Sequence, residues 1–356
     1  MLNLALIIVI SFFVVYYTIP PIIFIARDKK LFDAPSEERK IHKENVPTLG
    51  GVAIFGSFLF TSVLFLNNEI FLGSNFLMAA CIILFATGLK DDLHSLTPYK
   101  KIGAQLAAAF LVVFFADIRL SSMYGILGVF DLPALFSIIL SVFTILVITN
   151  AFNLIDGIDG LATSIGIVVS ATYGYVFFLM DQNGLAITAF ALTGSLIGFL
   201  IYNMSPARIF MGDTGAYLIG FITTILTLKF IELNKFDGLF NPNPFIKAAP
   251  SVAIGIVIVP LFDTLRVFMI RVVNKRSPFS ADRNHLHHRL LDIGLSHRGA
   301  MLFLVMMNLL YIFMVFSLQS LGSSNLFMLI FAISILLHFV LDMVWKQRMK
   351  HQSPAH

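Results

Sequence analysis

Five aspartates stand out in a chain that is otherwise strongly apolar. They come as KDDLHSL (Asp91, Asp92), NAFNLIDGIDGLA (Asp156 and Asp159, with Asn153 ahead of them) and IFMGDTGAYLIG (Asp213). Asn153, Asp156 and Asp159 recur every third residue, a spacing that lays three polar side chains along one stripe of a helix. At a membrane boundary such a stripe is costly unless something cationic neutralises it. A hard divalent cation would do so, since Mg²⁺ takes oxygen ligands, usually one or two carboxylates completed by phosphates and water. Any one of these aspartates could instead cap a helix or pair with Lys or Arg. The repetition over three separate loops favours a shared site.

The basic counterpart is HLHHRL, with His285, His287, His288 and Arg289. On a helix His285, His288 and Arg289 share a face. Zinc is a competing reading, but no cysteine is near and the spacing is not that of a zinc site. Phosphate or sugar binding suits these groups better, because Arg289 can grip phosphate oxygens with two parallel hydrogen bonds. Lys43, in RKIHKENVPTLGG, offers a point charge, although a loop lysine can simply be solvated. Gly50, Gly51, Gly157, Gly160 and Gly212 permit close approach of a ligand, or of one helix to another. Neither GxxxxGK[ST] nor GxGxxG occurs, so those nucleotide-binding loops have no support. Carboxylates, histidines and an arginine together suggest diphosphate chemistry, in which a metal neutralises the transferring group and basic side chains stabilise the rest.

The elements that must position these groups are membrane helices. Of 356 residues, 58% are hydrophobic and 12% charged, and the mean hydropathy is +0.89. Soluble domains carry about 25% charged residues, so the expected fold is an all-α polytopic integral membrane protein. A span needs about 20 apolar residues, and that rule yields about eleven transmembrane helices. They lie near 2–26, 48–66, 75–89, 102–116, 132–149, 161–180, 184–202, 215–231, 246–270, 300–321 and 326–345. The first reads as a span and not as a cleavable signal peptide. One integral membrane domain is expected over 1–356, with longer loops at 27–47 and 272–299, and an outer turn at Asp237–Pro244. Most Lys and Arg, including Lys90, Lys100 and Lys101, fall on the connections that carry the motifs. The positive-inside rule then puts the N-terminus outside, and the C-terminus and all the motifs on the cytoplasmic side. That topology accounts for the net charge of +4, which is no nucleic-acid signal, and the single cysteine, Cys81, excludes an intrachain disulfide.

Five motifs, PTLGG, KDDLHSL, NAFNLIDGIDGLA, IFMGDTGAYLIG and DRNHLHHRLLDIGLSHR, resemble in order those of the polyprenyl-phosphate N-acetylhexosamine-1-phosphate transferase superfamily, of glycosyltransferase family 4 type. The resemblance runs from Arg39 to Arg298. It implies transfer of a sugar-1-phosphate from a UDP-N-acetylhexosamine to a polyprenyl phosphate, undecaprenyl phosphate in most bacteria, with release of UMP and a need for Mg²⁺ (or Mn²⁺). NHLHHR replaces the PxHHHFE-like run of the phospho-N-acetylmuramoyl-pentapeptide branch. The resemblance is therefore to the branch using UDP-N-acetylglucosamine, which starts O-antigen, teichoic acid or capsule assembly.

By motif, the resemblance implies that Asp213 is a Mg²⁺ ligand and that Asn153 and Asp156 lie near the metal and diphosphate. Asp91 and Asp92 match the paired catalytic aspartates, and Asp159 a position near the uridine. His285, His287, His288 and Arg289 match the sugar- and diphosphate-binding loop. Lys43 precedes PTLGG, where the muramoyl branch has an active-site lysine. The implied surroundings are the bacterial cytoplasmic (inner) membrane, the lipid bilayer as source of the acceptor, and a homodimer. Two alternatives stay open: the phospho-N-acetylmuramoyl-pentapeptide transferase itself, and a transporter for Mg²⁺ or a phosphorylated solute. A transporter needs charges along a path inside the spans, where this chain offers Asp263, Arg266 and His338.

Overall fold

The computed structural model describes residues 2–31, 46–66, 73–235, 245–275 and 284–352. Lys43 and the turn expected at Asp237–Pro244 lie outside them. The described helices are α1 (Leu2–Asp28), α2 (Gly50–Phe65), α3 (Ser74–Leu93), α4 (Pro98–Phe110), α5 (Ala134–Ile155), α6 (Leu161–Leu179), α7 (Asn183–Asn203), α8 (Gly212–Leu233), α9 (Ala249–Ile256), α10 (Ile258–Val273), α11 (Leu286–Asp292), α12 (His297–Ser317) and α13 (Ser323–Gln352). One antiparallel hairpin, β1 (Ser122–Ile126) and β2 (Val129–Asp131), departs from the all-α expectation. Its turn residues Leu127 and Gly128 both have positive φ, the turn geometry that suits a tight hairpin.

All eleven expected segments fall on helices, but they are not equivalent. Seven described helices are long and apolar enough to cross a membrane, α1, α5, α6, α7, α8, α12 and α13, or eight if α9 and α10 count as one bent span. The chain is thus a multi-pass membrane protein. The expected ninth span is broken: α9 and α10 meet at 81°. Pro260, three residues into α10, has no N–H to give to residue 256, and its ring crowds that carbonyl. α2 has only 16 residues. α3 runs past its apolar stretch to Leu93 and so carries Asp91 and Asp92 in its last turn.

The chain forms two compact units, residues 1–121 with 133–232, and residues 122–132 with 233–356. In the first, small residues bring helices together, as in membrane packing generally. Ser57 Oγ donates to the Ser11 carbonyl at 2.7 Å, and Ser195 Oγ to Ser57 Oγ at 3.0 Å, tying α7, α2 and α1. A methyl group on Gly198 would lie 2.6 Å from the Phe12 carbonyl oxygen, so α1 and α7 touch backbone to backbone. In the second unit, Ser251 Oγ donates to the Ser323 carbonyl at 2.6 Å, and Asn308 Nδ2 to the Ile256 carbonyl at the α9 break at 3.2 Å. There a side chain supplies a donor to a carbonyl at the end of α9.

Candidate active site

The first unit brings its acids together from the matching ends of several helices. Asp91 and Asp92 close α3, Lys101 opens α4, Asn153 closes α5, Asp159 precedes α6, and Asp213 opens α8. The framework is backbone pairing between two motifs. Phe210 N–H donates to the Pro47 carbonyl at 2.8 Å, Gly50 N–H to Phe210 at 2.9 Å, and Gly51 N–H to Met211 at 2.8 Å. Side chains at these glycines would break the approach: a Cβ on Gly51 would meet Thr214 Cβ at 2.7 Å and the Met211 carbonyl oxygen at 2.8 Å. PTLGG and IFMGD are therefore one joint.

Asp92 completes that joint. Its Oδ1 accepts the Asp213 N–H at 2.7 Å, and its Oδ2 accepts the Thr214 N–H at 3.1 Å and the Thr214 hydroxyl at 2.5 Å. It is an N-cap for α8 supplied by another helix, satisfying orphan N–H groups where the helix dipole also favours an anion. Burial still pushes its carboxyl up to about 7, with the Thr214 and Asp213 donors pulling the other way.

Asp213 is held from three sides. Lys101 Nζ donates to Oδ2 at 2.7 Å, Tyr217 OH to Oδ2 at 3.1 Å, and Asn153 Nδ2 to Oδ1 at 2.7 Å. The same Lys101 ammonium pairs with Asp91. Asp91 in turn accepts the Leu96 N–H at 2.5 Å, which fixes the turn leading into α4. Burial, then the Asp213 carboxylate beside it, holds Asp91 above the usual carboxylate range. Burial acts to lower the Lys101 ammonium, but its bonds to Asp213 and Asp91 outweigh that and raise it. The sequence counts Lys101 only among the charges that orient the bundle. Its place between two acids depends on α3, α4 and α8 meeting, which spacing does not reveal.

The stripe expected from Asn153, Asp156 and Asp159 does not form. α5 stops at Ile155, and Asp156 has left the helical conformation at ψ +46°. Gly160, at φ +76°, then sets the start of α6. The three side chains therefore part. Asn153 stays on α5 and serves Asp213. Asp159 is buried and accepts the Ala207 N–H at 3.2 Å, while Asn203 accepts Gly160 N–H at 3.2 Å and the Thr163 hydroxyl at 2.8 Å. Asp159 and Asn203 thus knit the 156–160 turn to the loop after α7.

Asp156 differs from all of these. Among the described residues no donor or cation pairs with its carboxylate. Burial, then the charges of Asp213, Asp92 and Asp159, push it up to about 7. An unpaired carboxylate among like charges is what a cation would relieve. The described residues form no ready-made cage of three acidic or histidine ligands. A hard cation such as Mg²⁺ takes one or two carboxylates and completes its shell with phosphates and water, so the chemistry of Asp156 beside Asp213 is of a kind that could serve it.

The second unit holds the histidine segment. Asp263, buried in α10, accepts His285 Nδ1–H at 2.9 Å and the Leu286 N–H at 2.9 Å, so it fixes the His285 ring and the start of α11. The His285 and His287 rings stack at 5.6 Å and 8°, and His288 lies 4.3 Å beyond His287. Burial, then His288, drops the His287 imidazole to about 3, which keeps it neutral. Its Nε2 is buried without a hydrogen-bond partner among the described residues. Arg289 pairs with Asp342 of α13 and lies 5.1 Å over the Trp345 ring. Asp263, Arg266 and His338, the charges a transport path would need, are engaged locally: Asp263 with His285, Arg266 with the Asn284 carbonyl at 2.8 Å, and His338 with the Ser334 carbonyl at 2.8 Å.

Comparison with known proteins covers both units. Residues 74–231 match the model of glycosyl transferase family 4. The chain is 31% identical over 349 residues to a probable undecaprenyl-phosphate N-acetylglucosaminyl 1-phosphate transferase of Bacillus subtilis strain 168, covering 96% of this chain and 91% of the relative. It is 30% identical over 281 residues to the undecaprenyl-phosphate alpha-N-acetylglucosaminyl 1-phosphate transferase of Escherichia coli K12, covering 78% and 73% of the two chains. A decaprenyl-phosphate N-acetylglucosaminephosphotransferase of Mycolicibacterium smegmatis is 32% identical over 284 residues, covering 74% and 70%.

Proposed function

This chain belongs to glycosyl transferase family 4, and on that premise we propose that it moves N-acetylglucosamine-1-phosphate from UDP-N-acetylglucosamine to undecaprenyl phosphate, releasing UMP and starting a lipid-linked cell-envelope glycan. Family membership and the apolar helices make it a membrane sugar-phosphate transferase. The proposed setting is the bacterial cytoplasmic membrane with the acidic site facing the cytosol, because the positive-inside rule puts the motif-bearing connections there.

The observation that carries the reading is Asp156, whose carboxylate meets no donor or cation among the described residues and lies beside the Asp91–Lys101–Asp213 cluster. Asp156 and Asp213 are the proposed holders of Mg²⁺ (or Mn²⁺). Once bound, the ion supplies charge neutralisation for the donor diphosphate. Arg289 and the histidines of α11 supply donors for the sugar and diphosphate.

The acceptor phosphate attacks the β-phosphorus of the donor; the new P–O bond forms as the bond to UMP breaks. A phosphate monoester has a second pKa of about 6, so it is already largely dianionic near neutral pH and needs no strong base. Asp91 and Asp92 fit that economy. Asp91 is committed to Leu96 and Lys101, and Asp92 to three donors on α8. Both are positioning groups. Lys101 keeps the two neighbouring acids Asp91 and Asp213 tolerable before substrate arrives.

The test uses purified protein in detergent with undecaprenyl phosphate and radiolabelled UDP-N-acetylglucosamine. Label is expected in the lipid fraction only with Mg²⁺. Silence with this and every other N-acetylated UDP-sugar would sink the reading and shift weight to transport, measured as flux in sealed vesicles.

A further inference from the structure

The end of α13 carries three side chains directed at α11 and the turn after it. Asp342 pairs with Arg289 and, at 3.5 Å, with Arg266. Trp345, three residues on, places its ring 5.1 Å under the Arg289 guanidinium and donates Nε1–H to Asp292 Oδ2 at 3.1 Å. Arg348, three further, sits beside Gly294, where a Cβ would meet its Nη2 at 3.0 Å. Residues three apart share a helix face, so Asp342, Trp345 and Arg348 form one stripe along a single helix. Arg289 is nearly buried, while Asp342 and Trp345 are half-exposed. The carboxylate lies between two guanidinium groups, of which Arg266 also pairs with Asp263 at 3.8 Å, and the indole both supports Arg289 from its face and ties down the far end of α11.

Resting on the proposed reaction, we infer that Asp342 and Trp345 are positioning residues of the donor site, which set the guanidinium of Arg289 for the diphosphate of the UDP-sugar. The C-terminal helix is then part of the binding apparatus and not only a membrane anchor. A guanidinium gripped on one edge by a carboxylate and on its face by an indole loses less freedom when it meets a phosphate, and that saving appears as donor affinity.

The experiment is steady-state kinetics with the full chain in detergent, varying UDP-N-acetylglucosamine at saturating undecaprenyl phosphate. Asp342→Asn is expected to raise KM for the donor roughly tenfold with kcat changed less than about threefold, because a charge-assisted bond that orients a binding group is lost. Asp342→Glu should recover most of the affinity, and the exposed Lys346→Ala on the same helix should leave KM unchanged. Trp345→Leu should raise KM, and Trp345→Phe, which keeps a ring under Arg289, should raise it less. If Asp342→Asn does not purify, the two Trp345 variants carry the test. Donor KM within twofold of wild type in every purified Asp342→Asn or Trp345→Leu variant, or a loss confined to kcat, overturns the inference while leaving the reaction standing. A wild type silent with every donor overturns both.

Discussion

The carboxylate of Asp92 receives the backbone N–H of Asp213 at 2.7 Å, so the acid of one motif holds the helical turn that carries the acid of another. Asp92 lies on α3 and Asp213 on α8, 121 residues apart in sequence. Both oxygens of Asp92 are used, one by the Asp213 N–H and the other by the Thr214 N–H and hydroxyl.

Replacing Asp92 should therefore look like the loss of a cap. Asp92→Ala is expected to lower stability by about 1–2 kcal/mol, as cap deletions do, and to reduce turnover because Asp213 loses its fixed turn. Asp92→Asn keeps one acceptor and should lose less of both. Thermal unfolding in detergent and turnover from pH 6 to 9 are the measurements. If higher pH restored activity to Asp92→Asn or Asp91→Asn, a proton-accepting role would replace the positioning one.

Lys101 should prove as important as the acids it separates. Lys101→Met removes the one cation seen between Asp91 and Asp213 among the described residues. Turnover is expected to fall by about 10²-fold, the scale of losing one preorganised electrostatic group. Lys101→Arg should retain part of it. Turnover of Lys101→Met within threefold of wild type would show that the acids do not need this partner.

Cation binding should be pH-dependent through Asp156. Its carboxyl is pushed up to about 7, so below that pH it holds a proton that an incoming cation must displace. Apparent affinity for Mn²⁺ should fall on acidification below pH 7, approaching about tenfold per pH unit for one released proton, and level off above pH 8. Titration of the purified protein by electron paramagnetic resonance would follow it. Asp156→Asn should bind more weakly and with a flat profile. A slope unchanged in Asp156→Asn would assign the proton to another group.

Gly212 should tolerate no side chain. Its φ is +68°, and a Cβ there would fall 2.5 and 2.6 Å from the two Asp92 oxygens. Gly212→Ala is expected to combine backbone strain of about 1–3 kcal/mol with loss of the Asp92 cap. Activity should drop along with the unfolding temperature, whereas Gly103→Ala, where a Cβ meets nothing within 4 Å, should change neither. An active, stable Gly212→Ala would mean that the joint has other geometries open to it.

Much of this architecture is legible in the sequence because membrane spans are additive. Each apolar run declares itself through composition, and seven of the described helices, or eight with α9 and α10 as one bent span, are long and apolar enough to cross a membrane. What composition cannot show is how a run behaves once packed. Pro260 breaks one span, and α3 outlasts its apolar stretch to deliver Asp91 and Asp92. The site divides in the same way. Residue types mark the acidic motifs, but not that Asp92 caps α8, that Asp159 holds Ala207, or that Lys101 bridges Asp91 and Asp213. Those are pairings between distant segments, and glycine contacts such as Gly51 against Thr214 decide them. The three-residue spacing of Asn153, Asp156 and Asp159 misleads because α5, the helix on which that spacing would have meaning, stops at Ile155 and α6 starts only after Gly160.

The joint between Pro47–Gly51 and Phe210–Met211 has a consequence for biosynthesis. Gly50 leaves the ribosome 160 residues before Phe210, its backbone partner. Until α8 is inserted, α2 has no strand of chain to receive its first N–H groups, and Asp92 has no helix to cap. A nascent chain stalled before residue 210 would expose all of these at once. The acidic site therefore comes into being only once α8 is in place, as the last contact to form and not as a preformed pocket.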